Sequence, residues 1–275
     1  QFGSLRYSLN DAERWAAFSG DYNPIHFDAS EARRLGLNGL CVHGMRAMLD
    51  MKSALSTRCE KQSTLPDGLM FTSRLREPVL CDTAYQLPVR ETLRDGAMQF
   101  SASLRHAQTQ QVSLSGKLTA TAAPLLAPLM AEDTLGAQEL AVRYAEFLAV
   151  AGPDAPTWSF IDALLFRQLV NAPQTLETVH SLLPDDKAAS LRDVFSRVQV
   201  VQTHHETHFS TALLGQTDLP SQVNAMDYAI RPTLVMGDKH SGLVLLAGIQ
   251  AWSAGEPQYQ LMSVSVTLKT GSLAK

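Results

Sequence analysis

A carboxylate, an amide and an imidazole fall within six residues of one another in this chain: Asp21, Asn23 and His26. They surround Pro24, which cannot continue a helix. Further on, His43-Gly44-Met45, its glycine eighteen residues after the histidine, opens a strongly helical pattern. An Asp and a His held close together can take a proton from a water while delivering one elsewhere. A helix N-terminus nearby supplies backbone N–H donors without intrahelical partners, which suit a carbonyl oxygen gaining negative charge. These parts point to acid–base chemistry on a polarised carbonyl. Spacing alone leaves a plainer reading open, in which Asp21 and Asn23 are turn formers around Gly20 and Pro24. Asn23 is expected to fix the loop backbone through its amide. Gly44 serves either as an oxyanion contact through its N–H or as a site of close packing. His43 either contacts substrate or supports the loop through a hydrogen bond.

Other clusters carry weaker signals. His204-His205-Glu206-Thr207-His208 lacks the H-E-x-x-H spacing that puts two imidazoles on one helix face. On a strand, His204, Glu206 and His208 share one face and His205 takes the other, so a solvated strand face is expected and no metal. Arg33-Arg34 reads as a helix surface, and Met45, Met48 and Met51 as core filler.

The elements that position these residues follow from pattern. Residues 8–20 predict a short helix, with Ser8 as N-cap, Asp11 in the first turn and Gly20 as the stop. An irregular loop runs from Asp21 to His26. Asp28 with Glu31 matches a capping box opening a second short helix that Gly36 ends. From Val42 a longer helix fits apolar positions Val42, Met45, Met48, Leu49 and Leu55. The period then changes to that of strands over 69–76, 84–93, 97–107 and 110–121, with Asp95-Gly96 as a hairpin turn. Residues 123–136, rich in Ala and Pro, read as a linker. Helical patterns over 138–150 and 159–171 follow, and then strands over 194–202, 205–214, 226–236, 243–252 and 258–270. The second half thus repeats the helix-then-sheet order of the first. Gly152 and Pro156 repeat the spacing of Gly20 and Pro24, but Pro153 stands where Asp21 would be and Trp158 where His26 would be.

With 275 residues, 45% hydrophobic and 18% charged, the chain has the composition of a globular protein of about two domains. A net charge of −4 with scattered basic residues gives no footprint for nucleic acid. No apolar run reaches the ~18 residues of a membrane span. Three cysteines (Cys41, Cys59, Cys81) without C-x-x-C spacing suggest a reducing compartment, with the cytoplasm as the default.

The segment G-D-Y-N-P-I-H-F-D (Gly20–Asp28), followed by the glycine of H-G-M, resembles the signature of the MaoC-like, R-specific enoyl-CoA hydratase (hydratase 2) family. Arg76-Glu77-Pro78-Val79 with Asp82-Thr83 is similar to that family's strand after its central helix, with Cys81 where a glycine is usual. The resemblance covers roughly residues 5–122. It implies an α+β double hotdog, two long helices each wrapped by an antiparallel sheet. Residues 1–122 would be the catalytic domain, 123–136 the linker, and 137–275 a second, degenerate domain. It also implies reversible syn hydration of a 2-enoyl thioester of CoA or a carrier protein. Asp21 and His26 would be the catalytic pair, Gly44 the oxyanion contact, and Asn23 and His43 supporting or substrate-binding residues, with no cofactor needed. A homodimer of such chains is compatible with this. A hotdog thioesterase and a catalytically silent acyl-thioester-binding protein remain as alternatives.

Overall fold

The computed structural model describes residues 3–125, 127, 129–182, 187, 199–215 and 224–273. The chain enters through β1 (Leu5–Arg6) into α1 (Leu9–Ser19). Ser8 caps α1 by accepting from the Asp11 N–H, and the Asp11 carboxylate accepts in return from the Ser8 N–H. The helix ends at Gly20, whose φ of 80° is left-handed. Trp15 and Phe18 bury its inner face.

A 3-10 turn (Pro24–His26) and α2 (Ala29–Arg34) follow. Only half of the expected capping box forms at α2. Asp28 accepts from the N–H groups of Ser30 and Glu31, while the Glu31 carboxylate is drawn to Arg34 instead. Val42 also departs from expectation: it lies in a short strand, β2 (Cys41–Val42), and the long helix α3 (Gly44–Glu60) starts after it. Apolar character alone cannot distinguish a buried strand end from a first helical turn. Met45, Met48 and Met51 are core residues of α3.

The first set of strands comprises β3 (Gly68–Leu75), β4 (Val79–Leu80), β5 (Ala84–Gln86), β6 (Val89–Arg94), β7 (Ala97–His106) and β8 (Val112–Thr121). The turn between β6 and β7 sits at Asp95 and Gly96, with φ of 49° and 80°. Two positive φ values are what a tight two-residue hairpin needs. At the end of the predicted linker, β9 (Asp133–Leu135) adds to a sheet edge. Next come α4 (Ala137–Ala151), α5 (Thr157–Val170) and α6 (Pro173–Leu182), the last not foreseen from the sequence.

One strand, β10 (Val200–Ser210), spans much of what the pattern divided between 194–202 and 205–214; residues 194–198 lie outside the described part. Then β11 (Met226–Asp238), β12 (Gly242–Ser253) and β13 (Gln260–Thr270) complete the fold.

Among the described residues eleven strands form one antiparallel sheet, in the order β1-β5-β7-β8-β3-β10-β13-β12-β11-β9 with β6 also on β7, while β2 and β4 pair in a separate two-stranded sheet. The two wraps are therefore continuous, joined where β3 pairs with β10. Helix α3 packs on β7 and β8, and α5 packs on β12 and β13. The architecture is the α+β double hotdog. The two long helices touch each other along a polar seam. The Trp158 indole N–H donates to Ser56 Oγ at 2.8 Å, and one turn away Lys52 pairs with Asp162. As numbers rise along α3 they fall along α5, so the helices run antiparallel. No helix among the described residues is long and apolar enough to cross a membrane.

Candidate active site

The loop after α1 is held from both sides. Asn23 caps the 3-10 turn: its side-chain oxygen accepts from the Ile25 N–H, and Pro24 takes the first position, where no donor is needed. The Asp21 carboxylate accepts from the Asn23 N–H at 3.1 Å, and the Asp21 N–H donates to Ser19 Oγ. From the second half, Arg167 Nε donates to the Phe18 carbonyl and Asn171 Nδ2 to the Ser19 carbonyl. These orphan carbonyls end α1, so α5 sets the direction in which the loop leaves. A Cβ at Gly20 would lie 3.2 Å from the Asn171 amide, a second reason for glycine there.

His26 and His43 are buried, and their rings stack at 3.6 Å and 25°. His26 Nδ1 meets the Cys41 carbonyl at 2.7 Å. A carbonyl can only accept, so Nδ1 carries the proton and Nε2 of the neutral ring is left as a base. By the same reasoning His43 Nε2–H donates to the Asp21 backbone carbonyl at 2.8 Å. His43 Nδ1 has no hydrogen-bond partner among the described residues. Burial lowers the His26 pKa below the usual histidine value, opposed by the negative Asp21 and the Cys41 carbonyl. Burial and the neighbouring His26 drive His43 well below it. Both rings are therefore neutral near pH 7. Burial pushes the Cys41 thiol up to about 12, so it is no nucleophile.

Asp21, His26 and His43 bring ligating atoms within 4.8 Å of one another, a spacing that could hold an ion. The stacked rings argue otherwise. The two rings lie in nearly parallel planes 3.6 Å apart, and in-plane lone pairs on near-parallel stacked rings do not converge on one ion.

These groups face a cavity of about 280 Å³. Asp21, Asn23, His26, His43 and Gly44 all line it, so the sequence candidates come together. Gly44 is the first residue of α3, where backbone N–H groups lack intrahelical acceptors. It is also tightly packed, since a Cβ there would fall 2.5 Å from Leu75 Cδ2. Both readings of this glycine thus have a physical basis. The second half contributes to the same cavity through Phe166 and residues 200–203, which no local sequence signal marked.

The His204–His208 segment divides as its strand period requires. His204 and Glu206 are exposed, while His205 and Thr207 are fully buried. The expectation of a solvated face holds for His204 and Glu206 but misses what lies beneath. The Asp162 carboxylate receives His205 Nε2 at 2.8 Å, Thr207 Oγ1 at 2.8 Å and the Lys52 ammonium. Burial would raise the Asp162 pKa, but His205 and Lys52 outweigh it and hold the carboxyl well below its usual range.

Fold and loop together define a double-hotdog protein with an Asp/His pair beside the start of its first long helix. Residues 4–92 match the family model of the MaoC like domain. A mitochondrial 3-hydroxyacyl-[acyl-carrier-protein] dehydratase of Arabidopsis thaliana is 27% identical over 119 residues, covering 42% of this chain and 69% of the relative. Among solved structures, the tesB protein of Mycobacterium avium subs paratuberculosis is similar with a TM-score of 0.50 at 9% identity, over 84% of this chain and 88% of that one. A Mycobacterium tuberculosis protein described as having a double hotdog fold aligns over 98% of this chain and 95% of its own, at 11% identity and a TM-score of 0.47. At 9% identity the likeness to the tesB protein is one of fold.

Proposed function

We propose that this chain is a hydro-lyase that adds water reversibly, on one face, to a 2-enoyl thioester of CoA or a carrier protein. The observation that carries this reading is the pairing of Asp21 with a neutral, Nε2-free His26 at the wall of the cavity. A base held neutral near pH 7 suits proton abstraction from water. The water oxygen adds to C3 and the pair takes one of its protons. The enolate that forms at the thioester then receives one proton at C2, so one water is consumed and the double bond is lost. The first-turn N–H of Gly44 would hold the thioester oxygen as charge collects there, an effect worth roughly 3 kcal/mol in comparable sites. His43 holds the Asp21 backbone and Asn23 holds the turn, so both act by orienting the pair.

The same proposal assigns catalysis to residues 1–122 and a non-catalytic role to residues 137–275, joined by 123–136. Trp158, which takes the place of a histidine in the Gly152–Pro156 repeat, is fully buried between the long helices. The second half would support the loop and wall the cavity. The Arabidopsis relative, named as a dehydratase of 3-hydroxyacyl carrier thioesters, supports the reaction class. The test incubates the protein with crotonyl-CoA and analyses the products. Formation of 3-hydroxybutyryl-CoA without free thiol is expected; thiol release would favour a thioesterase, and tight binding without turnover a silent binding protein.

A further inference from the structure

Strand β10 is irregular where it reaches the cavity. Gln202 faces Leu268 and His204 faces Thr267 on β13, so Thr203 is an extra, bulged residue. Without the bulge, Gln202 would share the exposed face of His204 and Glu206, because strand side chains alternate. With it, the Gln202 side chain reaches the buried ring of His205 and lines the cavity that holds Asp21 and His26. Bulges beside functional sites commonly re-aim a side chain in this way.

The Gln202 amide is oriented by its partners. Its nitrogen lies 3.1 Å from His205 Nδ1 and 3.4 Å from the His204 carbonyl. The carbonyl can only accept, so the nitrogen is the atom on that side, and His205 Nδ1 is then an acceptor too. His205 meets this demand because its other nitrogen, Nε2, donates to Asp162, and Asp162 is fixed by Lys52 and Thr207. The chain of contacts runs from α3 through α5 to β10 and ends at one amide in the cavity wall. The oxygen of that amide has no hydrogen-bond donor among the described residues.

We infer that Gln202 is a substrate-contacting residue supplied by the second half, its amide oxygen accepting a hydrogen bond from an N–H or O–H donor on the bound acyl thioester. This rests on the acyl-thioester reading above. An enoyl-CoA carries such donors only in its CoA arm, where the amides lie nearest the thioester; a 3-hydroxyacyl-CoA adds a hydroxyl at C3. His205 acts through Gln202 by fixing which way the amide points.

Isothermal titration of the full chain carrying Asp21→Asn, expected to slow turnover at least about 100-fold, tests this with crotonyl-CoA and 3-hydroxybutyryl-CoA. Adding Gln202→Leu is expected to weaken binding about threefold to tenfold, the worth of one neutral hydrogen bond. Equal weakening for both ligands assigns the donor to the CoA arm, and weakening for the hydroxyacyl ligand alone assigns it to the hydroxyl. His205→Phe should weaken binding by the same factor, with no further loss when combined with Gln202→Leu. Fully additive losses would overturn the anchoring by His205. Unchanged affinity in Gln202→Leu, in a parent that binds, would overturn the inference alone. A parent that binds neither ligand would overturn the acyl-thioester reading and this inference with it.

Discussion

Replacing Lys52 with methionine isolates the ion pair at the helix seam. Lys52 and Asp162 are both fully buried, so neither charge has water to fall back on. In Lys52→Met the Asp162 carboxylate keeps His205 Nε2 and Thr207 Oγ1 as donors but loses its full positive charge. Removing one partner of a buried pair costs about 3–5 kcal/mol, chiefly by stranding the other charge. For a chain of this size that is roughly 6–10 °C in melting temperature, at about 2 °C per kcal/mol. Urea unfolding at pH 7, followed by tryptophan fluorescence, measures it. The pH dependence gives an independent check. Because the folded Asp162 pKa lies below its unfolded value, the network contributes stability above about pH 4 and loses it as the pH falls. Wild type should therefore weaken toward acid more steeply than Lys52→Met. A loss below about 1 kcal/mol, or identical acid dependence in both proteins, would refute this account of the seam.

Burial places the His26 pKa below the ordinary histidine value, so the acid limb of kcat/KM should lie below pH 6.5. Asp21→Asn removes the charge that opposes this shift, and an NMR titration should find His26 moved further down. Asn23→Ala removes the cap on the Pro24–His26 turn; about 1 kcal/mol of stability should be lost in a thermal melt, with a larger proportional loss in turnover. Gly44→Ala should reduce turnover while the fold persists, because the added methyl must displace Leu75 into the cavity; a crystal structure of the variant would check that shift.

Much of the site was legible because its residues are neighbours in sequence. Asp21, Asn23 and His26 share one stiff loop, and His43-Gly44 marks a helix start through local pattern. The strand periods of the first half were equally local, and Asp95-Gly96 announced its turn by residue type. What escaped detection depends on long-range pairing. Lys52 and Asp162 sit in helices as polar residues that a solvated face would explain equally well, and only the antiparallel contact of those helices turns them inward together. His205 was placed on the opposite strand face from His204, but nothing nearby names Asp162 as its partner. The bulge at Thr203 is a register event against β13, so alternation along β10 alone cannot show it. Val42 illustrates the local limit: an apolar residue before a helix fits a buried strand end as well as a first turn.

The most direct test follows the loss of conjugated enoyl-thioester absorbance on adding crotonyl-CoA to wild type, Asp21→Asn and His26→Ala. General acid–base groups typically contribute 10²–10⁴-fold, so wild type should hydrate the substrate and each variant should fall by at least about 100-fold with its fold intact. Variants that retain wild-type turnover, or a wild type inactive on enoyl and 3-hydroxyacyl thioesters alike, would contradict the assignment of this loop to acid–base catalysis.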